Sequence, residues 1–417
     1  MGAALALLFL LQAGSPPPEP RTPPTLELRG GFWFDGSTFR EESFYVVDGR
    51  LTRAKPARVE ETLDLADGFV VPPFAEAHNH NVQDDAEATL AAYLKAGIFY
   101  VKNPNSLPRA TTTVRALVNR PDGVDVVFAG GGLTASGGHP IEIVNPSRGF
   151  RDGDGQGAFY FVIDDRAALE RSWPEILSSP RDFLKTYLLY SEEYARRRDD
   201  PARVGWRGLD PELLPEIVRR AHAAGLRVSV HIETAADFHH AVRAGADEIN
   251  HMSGFRPDAE HELATYAIAD EDARLAGEQH TVVVTTLGEL LRSLENAAAG
   301  TSAEERAQAL LEMHRRNFER LRAHHVRIAI GSDEYGSNSV GEALAIARSG
   351  LMEPDELLRA WCQSSAETIF PARKIGRLEE GYEASFLVLG GDPLEDFDHV
   401  RDIRLRVKQG RVLALER

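Results

Sequence analysis

Histidines, a lysine and an aspartate follow apolar segments of this 417-residue chain in a pattern that could bind metal ions. His78 and His80 are two residues apart, so on a strand both side chains would point to the same side. That spacing lets two imidazoles hold one metal ion. A carboxylate such as that of Asp333 can both ligate a metal and accept a proton from an attacking water. The other candidate ligands are Lys185, His231 and His251.

These side chains can meet only if the segments before them lie side by side. The middle of the chain alternates apolar, β-branched runs with amphipathic helical patterns, several of which end in Gly. Eight such runs predict an α/β fold, a (β/α)8 barrel of the TIM type, whose strands end at one common rim. The remaining polar residues at predicted strand ends are Asn103, Thr285 and Thr286. The predicted strands cover residues 69–75, 98–102, 124–129, 182–187, 226–230, 246–250, 281–286 and 326–330.

The types of ligand atom limit which metal ions the site could bind. The chain has one cysteine, Cys362, which excludes an intramolecular disulfide, an iron–sulfur cluster and a Cys-rich zinc fold. Cys362 is far in sequence from the candidate ligands, so the set offers nitrogen and oxygen only. Such a set suits Zn, Mn, Co or Fe. Any one histidine could be an ordinary packed residue, but four at strand ends together favour a metal site.

Lys185 has two interpretations. A buried, unpaired ammonium is costly and tends to lose its proton. A neutral amine could capture carbon dioxide as a carbamate and so supply an anionic ligand. Alternatively, the lysine reaches the rim and pairs with Asp182 or Glu193.

Five motifs resemble those of the amidohydrolase superfamily, over residues of about 27 to 415. The segment GFVVPPFAEAHNH resembles its strand-1 signature V-x-P-G-x-x-D-x-H-x-H. DFLK resembles the lysine motif of strand 4, and IAIGSDE resembles the aspartate motif of strand 8. VSVHIET and DEINHM resemble the histidine motifs of strands 5 and 6. DFLK together with a Gly-Gly-His after strand 3 looks most like the branch related to prolidase and imidazolonepropionase.

The resemblance implies a binuclear metal centre, most consistent with zinc, with a carbamate on Lys185. His78, His80, Lys185 and Asp333 would bind one ion, and Lys185, His231 and His251 the other. A hydroxide bridging the ions would attack the substrate, and Asp333 would act as the catalytic proton shuttle. The sequence departs from the signature at Glu76, where the family has Asp, and at Pro73, where it has Gly. Deaminases of the superfamily carry His-x-x-Glu on strand 5 and lack the lysine, whereas this chain has His231-x-Glu233 and Lys185, which favours hydrolysis.

Further candidates would contact the substrate. His139 lies in the Gly-rich segment after strand 3 and could bind a carboxylate or an oxyanion, or merely stabilise a turn. Tyr190 lies five residues after Lys185, where hydantoinase-like relatives place a tyrosine that binds the oxyanion. Tyr187 is its competitor. Three arginines could bind a carboxylate, and the sequence does not rank them: Arg148, Arg151 and Arg256.

The two ends of the chain differ from its middle. Short strand-like runs broken by Gly occur at 25–70 and again at 372–417, which predicts one composite β-sandwich formed from both termini, around a barrel at 71–371. Residues 1–15 resemble a secretory signal peptide, and residues 16–24 form a Pro-rich linker. The leader predicts a periplasmic or secreted protein, and without it the protein would be cytoplasmic.

Composition narrows the class of partner. The net charge of −17 argues against a nucleic-acid binder, and no segment has transmembrane length. We therefore expect a small-molecule substrate, and self-association stays open. The leading hypothesis is a hydrolase of C–N bonds in N-acyl amino acids or dipeptides. The alternatives are an esterase, lactonase or phosphotriesterase with the same metal centre, and a non-catalytic scaffold protein of the same fold.

Overall fold

The computed structural model describes residues 23–83, 86–296 and 302–414. The predicted signal peptide at 1–15 and most of the predicted linker at 16–24 lie outside these ranges. Within them, none of the helices combines the length and the apolar character needed to cross a membrane.

Strands from the two chain ends form two sheets. The first sheet has the order β5-β4-β1-β6, and the second has the order β20-β19-β18-β7-β2-β3, so it combines strands from both ends. One apolar cluster, which includes Leu28, Trp33 and Phe386, draws residues from both sheets. The composite sandwich with its bounds at 25–70 and 372–417 stays a prediction. These strands are β1 Leu26–Arg29, β2 Phe32–Phe34, β3 Phe39–Glu41, β4 Phe44–Val47, β5 Arg50–Thr52, β6 Glu61–Asp64, β7 Phe69–Val71, β18 Phe386–Leu389, β19 Ile403–Lys408 and β20 Arg411–Val412.

The middle of the chain contains parallel strands that alternate with helices, which confirms the α/β class. Three strands have the order β10-β9-β8, and seven have the order β12-β11-β13-β14-β15-β16-β17. They are β8 Phe74–Glu76, β9 Ile98–Asn103, β10 Asp125–Phe128, β11 Gly132–Thr134, β12 Tyr160–Val162, β13 Leu184–Tyr187, β14 Val228–His231, β15 Glu248–Asn250, β16 Val282–Val284 and β17 Arg327–Ala329.

Backbone hydrogen bonds connect the three-stranded sheet to both sides of the seven-stranded one. The N–H of Ala77, after β8, donates to the carbonyl of Ile330, after β17, at 3.0 Å. The N–H of Asp182, before β13, donates to the carbonyl of Phe128 in β10 at 2.7 Å. Strands β10 and β11 are separated by only three residues and pair with β9 and β13 respectively.

The helices lie between these strands, and their ends follow from local sequence. Thr234 and Asp237 form a reciprocal capping box that starts α6. Gly225 and Gly245, which follow α5 and α6, have φ of +75° and +81°, as predicted for glycines that end helices. The described α-helices are α1 Ala86–Lys95, α2 Pro108–Val114, α3 Arg166–Ser178, α4 Tyr194–Arg197, α5 Leu214–Ala223, α6 Ala235–Arg243, α7 Asp270–Glu278, α8 Gly288–Glu295, α9 Ser302–Ala323, α10 Ser339–Ser349, α11 Pro354–Leu358 and α12 Ser365–Ile369.

Two details of the sequence prediction were wrong. The run 69–75 is two strands, because Pro72 and Pro73 lack the N–H groups that a continuous ladder requires. Its first half, β7, pairs with β2 and β18, whereas its second half, β8, pairs with β9. The Gly-rich segment after the run 124–129, in which no strand was predicted, also contains β11 and β12.

Candidate metal centre

The candidate ligands line one small cavity of about 50 Å³. They reach it from the carboxyl ends of different strands, as expected where parallel strands share an edge. His231 is the last residue of β14, and His251 follows β15 directly. Lys185 lies within β13. The residues that line this cavity include His78, His80, His139, Lys185, Tyr187, His231, His251, Arg256, Asp333 and Tyr335.

Three of these side chains are close enough to share one ion. His78, His251 and Asp333 each offer a ligand atom, and these atoms lie within 4.8 Å of one another. The Asp333 Oδ1 atom lies 3.3 Å from His80 Nε2 and 3.7 Å from His78 Nε2. The His231 and His251 rings are 4.5 Å apart between centroids. Imidazole and carboxylate donors at these separations match the preferences of Zn and its neighbours in the first transition series.

An unpaired buried atom supports the same interpretation. His78 is 1% exposed, and its Nδ1 atom has no hydrogen-bond partner among the described residues. A buried polar atom without a partner is costly unless a ligand or water satisfies it. His251 Nδ1 instead lies 2.8 Å from Thr286 Oγ1, which leaves Nε2 for the cavity. The residues present therefore fit a divalent metal ion.

The protonation states suit metal binding. Burial lowers the pKa of His78, His231 and His251 well below the usual histidine value, and nearby cationic groups act in the same direction. The three imidazoles are therefore neutral at pH 7, as metal ligation requires. Burial acts to raise the pKa of Asp333, but the hydrogen bond from His80 and nearby cationic groups such as Arg256 together outweigh it and lower the pKa. Asp333 is thus ionised.

Lys185 is 1% exposed, and its amine donates to Asn250 Oδ1. Burial lowers the pKa of this amine to about 7, which leaves a substantial neutral fraction at neutral pH. Asn250 is itself held by Glu248, and the Glu248 carboxylate pairs with Lys102 at 2.8 Å. A connected set of buried side chains therefore fixes the position of the Lys185 amine.

The rim pairing considered for Lys185 is absent from the described residues. Asp182 pairs with Arg115 at 2.9 Å, and Glu193 pairs with Arg197 at 2.5 Å. Lys185 instead points into the interior, as the carbamate interpretation requires.

Tyr187 and Tyr190, the two tyrosines considered for binding the oxyanion, lie in different places. Tyr187, two residues after Lys185 on β13, lines the cavity. Tyr190 does not: its ring lies 3.8 Å from the Arg197 guanidinium and 4.9 Å from the His261 ring. Tyr190 has a left-handed φ of 50°, so the chain has already turned away from the strand. The two-residue period of a strand was the signal for Tyr187.

His139 lies at the cavity, as its position in the chain suggested. Its ring is 5.0 Å from the His231 ring and 5.3 Å from the Tyr187 ring. Its Nδ1 atom lies 2.5 Å from Glu142 Oε1, which orients the imidazole.

The structure separates the three candidate arginines. Arg256 lines the cavity, and its Nη2 atom lies 3.9 Å from Asp333 Oδ2. Arg148 lines a neighbouring cavity, whereas Arg151 is exposed and outside both linings. Phe159 and Tyr335 also line the cavity, although the sequence did not mark them as candidates. Tyr335, two residues after Asp333, could have been found by that proximity. No local signal marks Phe159.

Glu76 connects the two segments that carry His78 and Asp333. It is fully buried, and its carboxyl group accepts from the Ser332 N–H at 2.9 Å, the Ser332 hydroxyl at 2.8 Å and the His78 N–H at 3.2 Å. Burial raises the pKa of Glu76 to about 8, so the carboxyl group is largely protonated at pH 7. It acts there as a neutral acceptor that joins the ends of β8 and β17.

We therefore expect Glu76→Ala to destabilise the protein while Glu76→Gln does not. The alanine leaves three buried donors without an acceptor, a cost on the order of 3 kcal/mol. Glutamine keeps the length, the neutral charge and one acceptor oxygen. Thermal unfolding and metal content of both variants test this expectation. Equal unfolding temperatures for Glu76→Ala and the parent protein would contradict it.

The fold and the cavity define an α/β protein with a candidate metal centre at the ends of parallel strands. The sequence model of the amidohydrolase family matches residues 205–413, about half of the chain. The chain therefore belongs to the amidohydrolase family.

Individual relatives are more distant. Ochratoxinase from Aspergillus niger is 29% identical over 192 residues, which is 45% of this chain and only 37% of that protein. The crystal structure of A. niger ochratoxinase has a TM-score of 0.71 at 18% identity and covers 94% of this chain and 95% of that chain. A prolidase complexed with N-methylphosphonate-L-proline has a TM-score of 0.69 at 20% identity and covers 94% and 100%. These structural likenesses show a shared fold.

Proposed function

We propose that this protein hydrolyses an amide bond in N-acyl amino acids or dipeptides. The observation that carries the proposal is the convergence of four histidines, Lys185 and Asp333 on one cavity. Membership of the amidohydrolase family, and the presence of an ochratoxinase and a prolidase among the similar proteins, support a C–N bond as the bond that is hydrolysed. The metal ligands we propose are His78, His80, Lys185, His231, His251 and Asp333.

The same residues suggest how the reaction would proceed. Two divalent ions, of which zinc fits the donor set best, would supply Lewis acidity and lower the pKa of water. Asp333, ionised and 3.3 Å from His80, would take the proton of the attacking water and return it to the leaving amine. A carbamate on Lys185 would add an anionic ligand beside the neutral imidazoles of His78, His231 and His251.

The chain also offers donors for the charge that develops on the scissile carbonyl. Burial raises the pKa of Tyr187 well above the usual tyrosine value, so its hydroxyl keeps its proton. A donor positioned at a developing oxyanion contributes strongly in a site from which water is excluded. His139 or Tyr187 would therefore replace Tyr190, the sequence candidate, in this role.

A substrate screen of the metal-loaded protein tests the proposal. We expect the highest kcat/KM for N-acyl amino acids or dipeptides, with much lower values for lactones, esters and phosphotriesters. A preference for one of the latter would assign the esterase, lactonase or phosphotriesterase alternative instead. A fully metal-loaded protein that hydrolyses none of these would favour the scaffold alternative.

Two structural expectations accompany this proposal. The backbone hydrogen bonds of Ala77 and Asp182 support closure of the central strands into a (β/α)8 barrel. The apolar leader at 1–15 supports a periplasmic or secreted location.

A further inference from the structure

The segment that follows β17 carries Asp333 in an unusual backbone conformation. Asp333 has a left-handed φ of 49°, which is uncommon for a residue other than glycine and needs support from its surroundings. The chain then turns at Tyr335 and Gly336, and we call residues 333–337 the aspartate turn. Contacts that fix this turn also fix the position of the Asp333 carboxylate.

An asparagine of the segment after β8 holds the aspartate turn. Asn81 Nδ2 donates to the carbonyls of Glu334 at 3.0 Å and of Ser337 at 2.9 Å. Its Oδ1 accepts from the N–H of Gly336 at 3.1 Å. A single amide therefore satisfies three backbone groups of one tight turn.

Asn79 adds a buried contact next to Asn81. Its Nδ2 donates to Ser332 Oγ at 2.8 Å and to the Glu334 carbonyl at 3.1 Å. Its Oδ1 accepts from the Asn81 N–H at 2.8 Å, and the whole side chain is buried. Ser332 and Glu334 are the residues on either side of Asp333. The contacts of Asn79 therefore bracket this aspartate in the chain.

The order His-Asn-His-Asn at residues 78–81 lets one short segment serve two purposes. His78 and His80 line the metal cavity. Asn79 and Asn81 contact the aspartate turn instead. Adjacent residues of the same segment therefore determine where the candidate ligands and the Asp333 carboxylate lie relative to each other.

We propose that Asn79 and Asn81 are positioning residues that hold Asp333 where it can exchange a proton with the attacking water. This inference rests on the proposed function, in which Asp333 is the proton shuttle. Proton transfer requires the carboxylate to lie within hydrogen-bond distance of the water, and a displacement of about 1 Å can cost on the order of 100-fold in rate. Neither asparagine needs to contact the substrate for this effect.

The kinetics of Asn81→Ala test the proposal. This side chain is only half-buried, so the fold should tolerate the change. We expect kcat for amide hydrolysis to fall by at least about tenfold, because the turn loses three contacts. The KM and the metal content per chain should stay close to those of the parent protein, because the histidine ligands keep their places. An unchanged kcat would overturn the proposal.

Asn119→Ala is the matched control. The Asn119 amide also holds a backbone segment, since its Nδ2 donates to the Val126 carbonyl at 3.1 Å and its Oδ1 accepts from the Val126 N–H at 3.0 Å. It does not line the metal cavity. We expect both alanine variants to lower the unfolding temperature and only Asn81→Ala to lower kcat. An equal fall of kcat in both would indicate a general loss of stability and overturn the proposal.

A double-mutant cycle identifies the residue through which Asn81 acts. In the Asp333→Asn background, Asn81→Ala should lower kcat by less than about twofold, because the proton carrier that it positions is already lost. A fall of about tenfold in that background as well would show that Asn81 acts on a group other than Asp333, which contradicts the proposal.

Hydrogen exchange separates this inference from the proposed function. The N–H groups of Asp333, Gly336 and Ser337 are hydrogen-bonded in the parent protein, and Asn81→Ala should make them exchange at least about tenfold faster. Amide hydrolysis by the parent with no change of exchange or kcat in the variant would overturn the inference and leave the function intact. Faster exchange in the variant of a metal-loaded protein that hydrolyses no amide would contradict the function and leave the aspartate turn assigned to its asparagines.

Discussion

Replacement of Asp333 by Asn is expected to lower kcat for amide hydrolysis by a factor on the order of 10³ or more while the protein keeps most of its metal. Asparagine retains an oxygen that can ligate, so the contacts near His78 and His80 can persist. It cannot accept a proton at neutral pH, and the water and the leaving amine both lose their proton carrier. Elemental analysis and steady-state kinetics on one preparation measure both quantities.

Because Asp333 is charged, its replacement by Asn is expected to have a larger effect on activity than the other proposed substitutions that leave the metal ions bound. The hydrogen bond from His80 and nearby cationic groups such as Arg256 keep the pKa of Asp333 low despite burial, so the parent protein presents an anion at the reacting position. Asp122→Asn, a surface change near Arg120, serves as the matched control and should retain full activity. Normal turnover in Asp333→Asn would exclude Asp333 as the proton shuttle.

Replacement of Lys185 by Ala is expected to abolish most metal binding and, with it, activity. If the lysine carries a carbamate, its loss removes the anionic ligand common to both ions and leaves mainly neutral imidazoles. Elemental analysis should show a sharp fall in metal content per chain, whereas Lys95→Ala, on an exposed helical turn, should leave the content unchanged. Full metal content in Lys185→Ala would show that the lysine is not a ligand.

A spectroscopic measurement distinguishes a carbamate from a simple amine. Metal-loaded protein prepared in ¹³C-labelled bicarbonate should show a carbamate carbon signal that is absent from Lys185→Ala. The buried, partly neutral amine held by Asn250 is the chemical basis for this expectation. Absence of the signal in an active, metal-loaded protein would exclude the carbamate.

Many of the strands could be predicted from the sequence because the residue patterns that encode them are local. The apolar runs at 98–102, 226–230 and 246–250 coincide with β9, β14 and β15 to within two residues at either end. All three strands are buried, and the run at 98–102 shows the clearest signal, because Ile98 to Val101 form the continuous apolar stretch that a buried parallel strand favours. The composite origin of the second terminal sheet was visible in the same way, from strand-like patterns at both chain ends.

Other features depended on contacts between distant segments. Whether Tyr187 or Tyr190 faces the cavity was decided by the turn after β13, where Asp237 accepts the N–H groups of Tyr190 and Ser191. That carboxylate lies more than forty residues along the chain, so no local pattern indicates it. The cavity that adjoins the metal centre likewise combines Phe150 and Phe159 from one long connection with Tyr335 from another.

By itself, the sequence determined the set of candidate ligands, because each one lies in a strand, or a few residues after one, that its own neighbours encode. Residues at the carboxyl ends of parallel strands meet at one edge whatever the connections do. The tertiary structure alone decided what surrounds them: the inward direction of the Lys185 amine and the position of Tyr190 outside the cavity lining. These depend on loop conformation and on pairing across the fold, which residue spacing does not record.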